Sequence, residues 1–189
     1  LKKIQKKNLK NYKIKWISDF KKLKKGPVIF LGNEFFDALP IKQFKRDKNL
    51  LLEKYYEMNK KHNISEKYYK AAKIDKRSIG QFKTFYNQSF IEYPKIGLDI
   101  MKKVTKKIIK LKGCVLIIDY GFYKPNNKNT LQSVINHKKN LLLKNLGKAD
   151  VTSHVNFELL HEFFLKNNLS VNKAISQKEF LEKMGILHR

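Results

Sequence analysis

Cysteine is almost absent from this chain of 189 residues, with Cys114 standing alone. That excludes an intramolecular disulfide framework and fits a reducing compartment. Cys114 lies inside an apolar run, where a buried, unreactive thiol is expected. Arginine is nearly as scarce: Arg46, Arg77 and Arg189 are the only three, so 39 of the 42 basic residues are lysine. Acidic residues number 16, and the formal net charge is +26. Such a charge ordinarily points to nucleic acid or an anionic membrane. Here the lysines are spread along the chain among abundant asparagine and isoleucine, the mixture that AT-rich codons produce. A solvated lysine-rich surface without a specific nucleic-acid face is therefore expected. No apolar run approaches the roughly 18 residues of a membrane span. The five histidines lack the paired spacing of a zinc site, and there is no G-x-S-x-G elbow, Walker loop or G-x-G-x-x-G turn.

What is present is a globular composition, 42% hydrophobic, in a length that suits one domain with a sizeable core. The chain is organised around residues 27–40. Val28 to Leu31 is short and uninterruptedly apolar, as in a strand buried on both faces of a parallel sheet. Gly32 and Asn33 break it, and Glu34 and Asp37 follow between Phe35, Phe36 and Pro40. Cys114 to Ile118 is a second such run, closing in Asp119-Tyr120-Gly121. Between them Ile96, Ile100, Val104, Ile108 and Leu111 recur at helical spacing, ended by Gly113. Strand, helix and strand of this kind predict a parallel α/β sheet whose two polar strand ends open on one edge.

The remaining pattern predicts a basic helix over Leu1–Leu9 and an alternating strand over Tyr12–Ile17. A hairpin is expected from Ile41–Phe44 and Leu50–Met58 about a turn at Asp47–Asn49, with further strand and loop in 59–88. Ser89–Tyr93 reads as an edge strand stopped by Pro94. Residues 122–129 read as a loop, and 130–143 fits strand or helix. Asn156 is placed to cap a helix carrying Phe157, Leu160, Phe163 and Phe164. A strand over 169–175 and a short helix over 177–184 complete the pattern.

Ligands in open α/β sheets bind beyond the carboxyl ends of the strands, which makes Glu34 and Asp37 candidates for chemistry. Acids at those positions equally well cap or solvate the start of a helix, and the residues alone leave both readings open. Asp119 and Tyr120 at the second strand end, with His137, Asp150, Thr152 and His154 downstream, supply the further polar groups of a cleft.

The strings Asn33-Glu-Phe-Phe-Asp-Ala-Leu-Pro40, Leu116-Ile-Ile-Asp-Tyr-Gly121, Asn136-His-Lys138, Ala149-Asp-Val-Thr-Ser-His-Val-Asn-Phe157 and Phe180–Ile186 occur in that order. Together they resemble the S-adenosylmethionine-dependent methyltransferase family that includes the mitochondrial complex I assembly arginine methyltransferase and the bacterial MidA-like proteins. Asn156 stands where that family usually has Asp. The resemblance implies a class I, Rossmann-like α/β sheet over 1–40 and 94–189, with 41–93 as a β-hairpin insertion. It also implies an internal piece of a longer protein, incomplete at its N-terminus because the glycine-rich cofactor loop would precede Leu1. The implied cofactor is S-adenosyl-L-methionine and the implied substrate a protein arginine, on an NADH dehydrogenase subunit. Glu34 and Asp37 are then the expected catalytic pair, gripping the guanidinium. Asn33, Asp119, Tyr120 and His154 are expected substrate contacts, and Asp19 an adenine-side cofactor contact. Two other readings stand beside it: a non-catalytic assembly factor that kept the fold, and a basic nucleic-acid-associated module. A bacterial cytoplasm is the expected location, with the mitochondrial matrix as the eukaryotic alternative.

Overall fold

The computed structural model describes residues 2–124 and 126–188. Leu1, expected in the first helix, and Pro125, expected in the 122–129 loop, lie outside them. β1 (Val28–Asn33) and β6 (Gly113–Ile118) pair in parallel, in register from Val28 opposite Gly113 to Asn33 opposite Ile118. Both strand ends therefore open on one edge, as the two apolar runs predict. Helix α3 (Lys95–Leu111) packs on this pair through Leu98, Met101, Val104, Thr105 and Ile108. Its lysines lie on the opposite face, the division expected of an amphipathic surface helix. The other face of the pair is open, with Ile29 78% and Leu31 66% exposed. Cys114 lies on that face and is exposed, not buried as its apolar neighbours suggest. Alternation along β6 puts it opposite the helix-covered side.

Between β1 and α3 the chain builds an antiparallel sheet in the order β4-β3-β2-β5, from β2 (Lys42–Asp47), β3 (Leu50–Met58), β4 (Ile64–Lys70) and β5 (Phe90–Tyr93). Phe44 and Ile91 face each other across β2 and β5 and are fully buried, with Phe85 beside them in the core. Helix α2 (Lys73–Gly80) closes the sheet. Its Asp75 is 1% exposed and meets Lys42 at 2.7 Å and Lys95 at 3.5 Å, and Lys42 also holds Glu53 at 2.9 Å. Burial alone would raise the Asp75 carboxyl, but its two lysines hold it below the usual carboxylate range. The pairing fixes α2 against the sheet and the start of α3.

Residues 130–143 resolve into strands. β8 (Gln132–Ile135) and β9 (Lys138–Asn140) form a hairpin, and β10 (Asp150–Thr152) adds to the far side of β8. Asn136 and His137 are the two turn residues, with φ of 49° and 60°, as a primed hairpin turn requires. A parallel bridge joins β7 (Gly121–Phe122) to β11 (Val155–Asn156). Helix α4 (Phe157–Lys166) follows, capped by Asn156, whose side chain accepts from Leu159 N at 3.0 Å as expected. Glu162 of α4 accepts from the main chain of Lys83 and Thr84, linking α4 to the 3-10 turn at Lys83–Phe85 between α2 and β5. Helices α1 (Lys2–Asn8) and α5 (Gln177–Lys183) match their predicted positions.

Two expected strands are not formed. Tyr12–Ile17 is irregular: Trp16 donates from Nε1 to Gln5 at 3.1 Å and lies near Lys6, so the segment packs on α1 without a strand partner. Leu169–Ile175 is likewise irregular, with Leu169 and Val171 tucked against the core. Alternation describes which side chains face inward; it does not provide a neighbouring backbone to pair with. Among the described residues no helix is long and apolar enough to cross a membrane.

Candidate functional site

The acidic loop after β1 is held by Asp119, at the end of β6. Glu34 N donates to Ile118 O at 2.9 Å, the last rung of the parallel ladder. The main-chain N–H groups of Phe35, Phe36 and Asp37 then all donate to Asp119 Oδ2, at 3.2, 2.9 and 3.3 Å. Asp119 Oδ1 accepts from Tyr120 N at 2.9 Å. Successive amides converging on one carboxylate form an anion nest, here filled from within the protein. Asp119, expected as a substrate contact, thus has both oxygens engaged in shaping the loop.

The turn that makes this nest possible begins at Glu34, which adopts φ 44°, a conformation unfavourable for a residue with a Cβ. Strained backbone at a strand end is characteristic of functional loops. Among the described residues the Glu34 side chain is exposed and forms no hydrogen bond or ion pair. Asp37 is half-buried, and its Oδ1 is buried without a hydrogen-bond partner. Burial first, then the charge of Asp119 and of Glu34, push the Asp37 carboxyl above its ordinary value, against main-chain N–H groups that lower it. In a chain with 42 basic residues, none of the ion pairs among the described residues involves Glu34, Asp37 or Asp119. Asp119 is instead met by main-chain N–H groups, which leaves Glu34 and the buried Asp37 Oδ1 as the unmet acidic groups of the loop.

The string Ala149–Phe157 meets the first two here. Ser153 N donates to Asp37 O at 2.9 Å, and Val155 N to Tyr120 O at 2.8 Å. Gly121 is required at this crossing, because a Cβ there would lie 2.2 Å from Val155 O. Tyr120 and His154 are exposed beside the loop, and Asn33 ends β1 with its side chain at the surface. Asp19 is not preceded by a strand; it caps a short 3-10 turn, accepting from Lys21 N at 2.8 Å, and Phe20 of that turn packs edge-on against Phe30 of β1.

A network the sequence reading missed supports His154. Glu92 of β5 accepts from Gln43 Nε2 at 2.8 Å, from Thr130 N at 3.0 Å and from the Thr130 hydroxyl. Thr130 Oγ1 in turn accepts from His154 N at 2.9 Å. Gln43 and Glu92 are cross-strand partners, on the side of the sheet away from Phe44 and Ile91. Polar residues flanked by buried apolar ones were the only signal in the sequence, and a solvated strand face gives the same pattern.

A parallel pair of strands carrying polar loops at its carboxyl ends, backed by a helix and joined to an antiparallel sheet, defines an α/β protein with its site at the strand ends. The family model described as "Putative S-adenosyl-L-methionine-dependent methyltransferase" matches residues 1–175, and the chain belongs to that family. It is 28% identical over 179 residues to the mitochondrial protein arginine methyltransferase NDUFAF7 homolog of Caenorhabditis elegans, covering 93% of this chain and 42% of that protein. To the mitochondrial protein arginine methyltransferase NDUFAF7 of Homo sapiens it is 26% identical, covering 92% and 38%. A COG1565 superfamily member from Burkholderia thailandensis, bound to S-adenosyl-homocysteine, shares the fold with a TM-score of 0.70 at 18% identity, over 87% of this chain and 44% of that one. The chain thus spans about two fifths of the length of these curated relatives.

The family's cofactor is S-adenosyl-L-methionine. The orphaned Asp37 oxygen and the free Glu34 carboxylate are groups that suit a positively charged ligand at this loop. Asn33, expected as a substrate contact, ends β1 beside this loop.

Proposed function

We propose that this chain supplies the substrate-gripping part of an S-adenosyl-L-methionine-dependent protein arginine methyltransferase. The observation that carries the reading is the unpaired carboxylate group of the acidic loop: Glu34 free and Asp37 orphaned, on a backbone pinned by Asp119. A guanidinium is permanently charged and delocalised, so its nitrogens are poor nucleophiles. Glu34 accepts two of its N–H groups in a bidentate pair, which fixes one nitrogen in line and draws charge toward the others. When bound, S-adenosyl-L-methionine supplies an electrophilic methyl group on sulfur. The nitrogen would take the methyl group as its bond to sulfur breaks, the electron pair staying on sulfur in the departing S-adenosyl-homocysteine, and would shed a proton to Asp37, with its raised proton affinity, or through water to the exposed His154. Asp119 acts as a positioning residue through the loop main chain.

The relatives' names support a protein substrate bearing arginine, and an NADH dehydrogenase subunit in a mitochondrial or bacterial respiratory complex is the partner we propose. The test is Glu34→Gln in the full-length protein. Methyl transfer to substrate should be abolished, with S-adenosyl-L-methionine affinity, read by calorimetry, largely intact. Near-normal turnover in that variant would refute the assignment.

A further inference from the structure

Beside the acidic loop, a narrow cleft runs between β5, the start of α3 and the 126–130 segment. Its rim carries Asn126, Lys128 and His154, and its interior is walled by Phe36, Leu98 and Leu160. Gln88 lies within it, only 4% exposed, with its Nε2 buried and without a hydrogen-bond partner. The cleft adjoins the acidic loop directly. Phe36 is the residue before Asp37, and Ser153, which donates to Asp37 O, also lines the cleft. The 126–130 segment is strapped across it: Asn127 accepts from the main chain of Ser89 and Phe90, Asn129 accepts from Gln43, and Thr130 holds Glu92.

We propose that this cleft is a subsite for the substrate residue flanking the arginine, and that Gln88 Nε2 donates to its main-chain carbonyl. The inference rests on the protein-arginine reading above and deepens it. An unmet buried donor costs about 1–3 kcal/mol, so its persistence asks for an acceptor. Both oxygens of Glu92 already accept hydrogen bonds from Gln43 and Thr130. Phe36, Leu98 and Leu160 wall the cleft, and Glu92, Ser153 and Asn156 also line it. A peptide carbonyl needs only one donor and brings its own apolar flank. The cleft holds about 30 Å³ of water-accessible space, which favours a small flanking side chain over a bulky one. Specificity of this kind is strong, because an analogue that leaves the buried amide unpaired forfeits its bond.

The test uses the full-length protein and two fluorescein-labelled peptides, Gly-Ala-Ala-Arg-Ala-Ala-Gly and its counterpart with tryptophan on both sides of the arginine. Anisotropy reads binding without turnover. The alanine peptide should bind wild type at least fivefold more tightly than the tryptophan peptide. Gln88→Leu, which keeps the volume and removes the donor, should weaken the alanine peptide at least fivefold with an unchanged melting temperature. Equal affinities for the two peptides, no binding of either, or an unaltered affinity in a folded Gln88→Leu protein would each overturn the subsite. If Gln88→Leu melts early, the wild-type comparison decides alone. Turnover retained in Glu34→Gln would instead remove the guanidinium grip, so the two failures are distinguishable.

Discussion

The carboxylate of Asp119 receives the main-chain N–H of Phe36 at 2.9 Å across 83 residues of sequence. This bond, with the flanking ones from Phe35 and Asp37, converts the end of one strand into the scaffold for the loop of its neighbour. The loop's own carboxylates are thereby left free, because the nest they would otherwise fill is occupied.

Asp119→Asn keeps the shape but removes the charge that binds three amides on one oxygen. Charge-assisted hydrogen bonds are about twice as strong as neutral ones, so unfolding free energy should fall by about 2 kcal/mol. Urea denaturation measures this. Methyl transfer should fall with it, through disorder of the loop and not through loss of a substrate contact.

Glu34→Gly separates stability from function. The left-handed backbone at φ 44° costs a residue with a Cβ about 1–2 kcal/mol, part of which glycine loses again as unfolded-chain entropy. The variant should be as stable as wild type, or more stable by up to about 1 kcal/mol, while arginine methylation is lost. A clear destabilisation would show that the side chain is structural.

Asp37 binds its proton more tightly in the folded chain than in the unfolded one. Its contribution to stability is therefore fully present below the unfolded value near 3.8 and is lost as pH rises through the raised folded value. Asp37→Asn should accordingly be more stable than wild type at pH about 7.5, and the difference should shrink toward pH about 4. Melting curves at the two pH values check the sign, and a gap that widens on acidification would contradict the assignment.

Gly121→Ala tests the crossing of the family strings. A Cβ 2.2 Å from Val155 O and 2.7 Å from the Phe157 ring forces β7 and β11 apart, with overpacking costs of about 1–3 kcal/mol. Hydrogen exchange should quicken at Val155 N, the amide bonded to Tyr120 O.

The parallel strands, α3, the Asn156 cap and the acidic loop were all legible in the residues, because each is a local matter of period, capping chemistry or a run of one polarity. Glu34 and Asp37 are legible as candidates from their place after an apolar strand run, although the fold leaves one face of that strand exposed. What the chain could not disclose locally was partnership. Tyr12–Ile17 alternates as a strand does, yet the structure gives it α1 to pack against and no backbone to pair with. Cys114 sits in an apolar run, yet it points away from α3. Asp119 has the sequence context of a substrate ligand, and only the folded chain reveals that its oxygens already belong to the amides of residues 35–37 and 120. Gln88, a polar residue in an irregular stretch, carries no signal until the fold buries its amide without a partner. Composition and spacing decide which segments become strands and helices. Which polar groups remain unmet is decided by tertiary contacts alone, since hydrogen-bond satisfaction depends on atoms brought together from distant parts of the chain.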